Sequence, residues 1–221
     1  MTGILRAEFN KLISLPRHWA LVAVAVAWSF LWGWLAVHLA GDVNAFISAP
    51  ASLRLLPAVD IVVTALMCGS EFTPQLRSTL LAVADRRAAL AVRWSIIGVF
   101  VCCFSALSAF ALYAASALVG GADCDCAQAW SLTMYLLCCC TLVGVLCDAM
   151  RSGIKGVFAA LGLLWLAPML SDVVWPDVTR YMPFEDIARH LLNSALGLPW
   201  VFIGSVLIGV TATVYSWLRD L

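Results

Sequence analysis

Long apolar runs separated by short polar stretches organise this chain. The clear runs are 19–40, 94–119, 130–147, 154–174 and 198–218, each near the roughly 20 residues that carry a helix across a bilayer core. A less regular run, 53–69, carries Arg54 near one end and Asp60 within its first turns. A charge at the centre of a lipid-facing helix costs roughly 2.5–3.5 kcal/mol on insertion scales, so both residues belong near the interface or against other helices. The pattern predicts an all-α, polytopic membrane protein of six transmembrane helices in a single domain, residues 1–221. A β-barrel would instead show short alternating strands.

The polar stretches carry their own periodicity. Between the second and third runs lies a charged island, Gly69 to Arg93. On a helix its Phe72, Leu76, Leu80 and Val83 form an apolar stripe, while Gln75, Arg77, Ser78 and Asp85 fall away from it. Such a helix at the membrane surface, with Arg86, Arg87 and Arg93 at its exit, suits docking of a soluble partner. The alternative is a solvated loop whose arginines only enforce orientation. Ahead of the first run, Leu5, Phe9, Leu12, Ile13 and Pro16 share a face with Arg6, Glu8, Asn10 and Lys11 turned away, as in an interfacial helix. Before the last run, Phe184, Ile187, Ala188, Leu191 and Leu192 share another face, after Pro183 in a position suited to a first helical turn. That stretch reads as an outer amphipathic helix, or as a simple lid.

Composition agrees with the pattern. Hydrophobic residues make up 63% of the chain and charged residues 12%, against about 45–50% and about 25% in soluble domains. Charge then orients the spans. With the N-terminus in the cytoplasm, ten basic residues fall inside and only Arg54, Arg180 and Arg189 outside. Acidic residues split five inside and eight outside, so the formal net charge of zero conceals a polarised molecule. Six spans place both termini in the cytoplasm. The charged head before the first run is unlike a cleavable signal, so that run is expected to stay.

Several chemistries lack their residues. No G-x-x-x-x-G-K-[ST] phosphate loop occurs, so ATP, if used, is hydrolysed by another chain. His18 and His38 flank the first run, His190 sits in the last outer loop, and neither H-E-x-x-H nor G-x-S-x-G occurs. No catalytic residue is assigned, nor any nucleic-acid partner. Nine cysteines include Cys68, Cys102-Cys103, Cys138-Cys139-Cys140, Cys147, Cys124 and Cys126. Soft-metal handling would use thiolates, but no Cys-x-x-Cys pair occurs and no metal-motif spacing recurs, so small apolar packing is the expected role, with no metal site.

The residues Glu8, Lys11, Leu12 and Trp19, with Glu71, Phe72, Gln75, Arg77, Thr79, Leu80, Val83, Arg86 and Arg87, resemble the permease subunits of bacterial type-2 ABC exporters. Asp85 and Arg93 depart from the family's usual Pro and Lys. The resemblance implies a coupling helix (Glu71, Phe72, Gln75, Arg77, Leu80, Arg86, Arg87), an N-terminal interfacial helix (Glu8, Lys11, Trp19) and an outer helix (Phe184, Ile187, Leu191). It also implies a bacterial plasma-membrane location, a second permease subunit, contact with membrane lipid, and a cytoplasmic ABC ATPase that binds ATP and Mg; this chain would bind no cofactor. Cargo would be amphipathic, drug-like, lipid or peptide. The rival readings are a membrane substrate-capture subunit of a vitamin or metal importer, and a thiol-based metal or redox membrane protein. The topology is open to test. In intact cells, a membrane-impermeant maleimide should label reduced Cys124 and Cys126 when the other cysteines are replaced. Labelling of a Ser152→Cys variant under the same conditions would overturn the layout.

Overall fold

The computed structural model describes residues 10, 16–41, 43–49, 52, 55–69, 86–120, 126–150 and 152–162. Among them all regular structure is helical, and three helices are long and apolar enough to cross a membrane. The sixth predicted span, most of the fifth, and the predicted outer helix lie outside the described residues, as does most of the charged island.

Helix α1 (Pro16–Ala40) takes in the first predicted span and begins slightly earlier. Pro16 fits there because its missing N–H would have no helical partner in the first turn. The helix stops at Gly41, whose φ of 68° is left-handed and whose N–H donates to Val37 O at 3.1 Å. That single bond caps the last turn, and glycine takes the conformation without a Cβ penalty.

The segment between the first two apolar runs folds as a short helix, α2 (Val43–Ser48). Val43 and Ile47, four residues apart, are buried in the core, and Phe46 packs on Trp32 with ring centroids 5.6 Å apart. These apolar side chains sit one helical turn apart, so a single turn of helix can bury them together.

The least regular predicted span contains α3 (Pro57–Gly69), entered through a turn in which Leu56 N–H donates to Ser52 O at 2.9 Å. Its 13 residues extend about 20 Å, short of a roughly 30 Å hydrocarbon core. Charge and shortness together explain why the sequence pattern was weakest here.

Helix α4 (Arg86–Gly120) is longer than expected. Its candidate span is Ser95–Gly120, so nine residues from Arg86 to Trp94 form a helical lead ahead of it. The helix α5 (Cys126–Met150) follows after a short connection. Over its span 67% of residues are buried, against 28% for α1 and 39% for α4, which makes α5 the central helix. A tight turn then opens α6 (Gly153–Leu161), where the Ser152 hydroxyl accepts from Lys155 N–H at 3.4 Å as an N-cap. This helix begins the fifth predicted span.

Helices α1 and α4 touch along small residues. Val22, Ala25, Ser29, Gly33 and Ala36 are buried at steps of three and four on α1, the spacing of one helical face. A Cβ on Gly33 would collide with the Leu112 carbonyl oxygen and lie 3.0 Å from the Ala115 Cβ, while one on Gly120 would lie 2.9 Å from Val37. Residue numbers rise together along both helices, so they run parallel. The chain must therefore run back along the bundle between them, and α3 is the described helix long enough to cover much of that distance.

The cysteines divide. Cys68, Cys139, Cys140 and Cys147 are buried, as the packing role predicts, and Gly156 lies against Cys147 so closely that a Cβ there would sit 2.8 Å from its Cα. Cys102 and Cys103 instead lie exposed on α4, where they fill no helix interface among the described residues.

The seam predicts a sharp difference between two glycines. Gly33→Leu should lower stability by about 1–3 kcal/mol or more, because a new side chain must push the Leu112 backbone away. Gly98→Leu, where a Cβ meets nothing within 4 Å, should leave stability close to wild type. Thermal unfolding of the detergent-solubilised protein checks both.

Candidate functional site

The most unusual group in the fold is the carboxylate of Asp60. Its side chain is fully buried, and Ser108, equally buried on α4, donates its hydroxyl to Oδ1 at 3.2 Å. Oδ2 has no hydrogen-bond partner. Ser108 falls at the midpoint of the Ser95–Gly120 span, which places the carboxylate near mid-depth. Of the two settings expected for this charge, the structure selects the one against other helices rather than the one near the interface.

Four helices bring polar groups to this depth. On α3, Thr64 follows Asp60 by four residues and Cys68 follows Thr64 by four, so the three share one face. Helix α4 supplies Ser105 and Ser108, one turn apart, and α5 supplies Cys140, whose thiol is approached by the hydroxyls of both Thr64 and Ser105. Neither hydroxyl makes a hydrogen bond of ordinary geometry, and both are buried. On α1, Ser29 lies one turn before Gly33 just as Ser108 lies one turn before Leu112, so the register of the seam sets Ser29 level with Ser108. Its hydroxyl is also buried without a partner.

The energetic cost explains why such a cluster matters. An ionised carboxylate taken out of water is penalised by several kcal/mol even after relaxation, and a buried hydroxyl without a partner by about 1–3 kcal/mol. The hydroxyl of Ser108 offsets part of the first cost. No lysine, arginine or histidine forms an ion pair with Asp60 among the described residues. Ionisable groups inside membrane spans are rare and mark pathways, relays or ligand sites, so Asp60, with Ser108 and the buried hydroxyls at its level, is the candidate functional site.

The residues singled out by sequence are placed differently. Glu71, Phe72, Gln75, Arg77 and Leu80 lie outside the described residues, as do Glu8, Lys11, Phe184, Ile187 and Leu191. Arg86 and Arg87 open α4, so the last residues of the island, 86–93, are continuous with the third span in one helix. Trp19 sits in the first turns of α1 and is exposed, 53% of its surface being open. Trp34 lies edge-on to His38 near the other end, with ring centroids 4.3 Å apart, and Trp130 is exposed at the start of α5. Trp19 and His38 are separated along α1 by roughly 28 Å, close to the thickness of a hydrocarbon core. Aromatic residues at both levels match the two interfacial belts of a membrane span.

Sequence reasoning marked Asp60 as anomalous but did not find its partners. The signals were there: Asp60, Thr64 and Cys68 at steps of four, and Ser105 with Ser108 at a step of three within an apolar run. Nothing in one sequence, however, shows which helix faces which. Among the described residues, no group of three or more His, Cys, Asp or Glu side chains is arranged to hold a metal ion. No protein family, curated protein or solved structure matches the chain.

The hydrogen bond between Ser108 and Asp60 can be measured directly. Ser108→Ala should destabilise the protein by about 1–3 kcal/mol, because it leaves a second buried carboxylate oxygen unsatisfied. On an Asp60→Leu background the same substitution should cost much less. A double-mutant cycle from thermal unfolding in detergent reads the difference, and strictly additive effects would show that the two side chains do not interact.

Proposed function

We propose that this chain is the membrane-spanning permease subunit of an ATP-driven exporter in a bacterial plasma membrane, working as a pair of such subunits with a separate cytoplasmic ABC ATPase. The observation that carries the reading is the helical lead of α4. The nine residues from Arg86 to Trp94 are helical and precede the apolar span, so the last part of the charged island, 86–93, is continuous with the third span as one helix. A load applied by a soluble partner at Arg86 and Arg87 would reach the interior of the bundle along one helix.

Other features support the same reading. Three helices have the length and apolarity to cross a membrane, and α1 and α4 expose Val24, Leu31, Val99 and Phe110, an apolar surface suited to lipid or a second permease subunit. The parallel course of α1 and α4 requires the return that the second span provides. In this scheme Glu71, Phe72, Gln75, Arg77, Leu80, Arg86 and Arg87 couple to the ATPase, which supplies ATP and Mg chemistry. Glu8, Lys11 and Trp19 hold the N-terminal helix at the interface, and Phe184, Ile187 and Leu191 do so for the outer helix. The cargo is an amphipathic, drug-like, lipid or peptide molecule moving between near-apolar walls. Coupling requires that ATPase contacts differ in free energy between two conformations of the permease.

The coupling residues provide the test. Glu71→Ala and Arg77→Ala should leave the protein in the membrane but reduce transport, with a partly buried pair costing on the order of 2–5 kcal/mol when one member is unpaired. Charge changes at Asp172 or Asp177, on the predicted outer side, serve as controls. The measurement is cargo-stimulated ATPase activity of the reconstituted complex. Full stimulation and normal transport in both variants would reduce the island to a basic loop.

A further inference from the structure

The polar cluster at mid-depth has a composition that selects its ligand. Asp60 supplies a single formal negative charge, and its free Oδ2 is fully buried. Ser108 donates to its Oδ1, and the hydroxyls of Thr64, one turn further along α3, and of Ser105, one turn before Ser108 on α4, are buried without hydrogen-bond partners of their own. Carboxylate and hydroxyl oxygens are hard donors, suited to hard cations rather than to the soft metals that thiolates prefer. One carboxylate neutralises one positive charge. A divalent ion would leave a surplus charge among apolar helices, whereas a single charge would close the balance and give Oδ2 the partner that it lacks.

We propose that Asp60, with Thr64, Ser105 and Ser108, forms an exchange site for one positive charge, a proton or a sodium ion, between α3, α4 and α5. With a proton on Oδ2, the carboxyl is neutral while Oδ1 continues to accept from Ser108. With sodium, the carboxylate and the hydroxyl oxygens are ligands. The titratable groups that face Asp60 among the described residues are the thiols of Cys139 and Cys140 on α5, with Cys68 beside Cys140 on α3; α4 contributes serine hydroxyls only. This inference stands apart from the exporter reading, because it needs neither an ATPase nor a cargo.

Infrared difference spectroscopy of the full-length protein in lipid nanodiscs tests it. Spectra are taken from acidic to alkaline pH in choline buffer, then on addition of sodium at fixed pH. Asp60→Asn identifies the contribution of this carboxyl. If that variant fails to fold, wild-type protein carrying ¹³C-labelled aspartate, compared with Ser108→Ala, assigns the band through its isotope shift and the lost hydrogen bond. Loss of the Asp60 carboxylic-acid band with rising pH, unaffected by sodium, would establish the proton as the exchanging charge. Conversion of the acid band to a carboxylate band by sodium at constant pH would establish the metal ion. An Asp60 group that keeps one state through both series would overturn the proposal.

Discussion

The close approach of α1 to α4 is the constraint from which the rest of the arrangement follows. Gly33 lets the α1 backbone reach the carbonyl of Leu112, and Ala25, Ser29 and Ala36 keep the same face of α1 shallow. Apolar area alone gives little drive for helices to associate in lipid, because lipid tails are as apolar as leucine. Close backbone contact over small residues supplies van der Waals attraction in its place. Once these two helices are held parallel, the intervening chain must return. The interior position of α3 and the burial of Asp60 are consequences of that topology.

At the polar cluster, buried oxygens from several helices gather against the ordinary solvent logic of an apolar interior. Elsewhere, hydroxyls in the spans fold back onto their own helix: Thr133 donates to Ala129 O at 2.8 Å, Ser116 to Tyr113 O at 2.7 Å and Thr141 to Cys138 O at 3.0 Å. Such local bonds satisfy the hydroxyl at little cost. Thr64 and Ser105 do not take this option. Their lack of local partners separates them from the structural hydroxyls and gives the cluster its character.

Much of the fold was legible in the sequence because lipid imposes a long, simple pattern. The spans that became α1, α4 and α5 were located to within a few residues at most ends, and the unusual chemistry of the second span was visible in Asp60. Two things were not. The sequence pattern assigned no element to Val43, Phe46 and Ile47, since a helix of six residues is too short to establish a period. The partners of Asp60 depended on α3 meeting α4 and α5, a tertiary fact that single-helix periodicity does not contain. The small-residue face of α1 was present in the spacing of Val22, Ala25, Ser29, Gly33 and Ala36, but its significance lay in the partner backbone it admits.

The unbroken length of α4 turns it into a lever with very unequal arms. Gly33 grips it at Leu112, roughly 39 Å from Arg86 along the helix but only about 6 Å from Ser108. A rocking of this rod about that grip by about 3 Å at Arg86 arrives at Ser108 as about half an ångström. The serine hydroxyl holds Asp60 at 3.2 Å, already near the long end of hydrogen-bond distances. Half an ångström more is enough to let go. Movement at Arg86 would thereby be geared down to the scale on which a single hydrogen bond is made or broken.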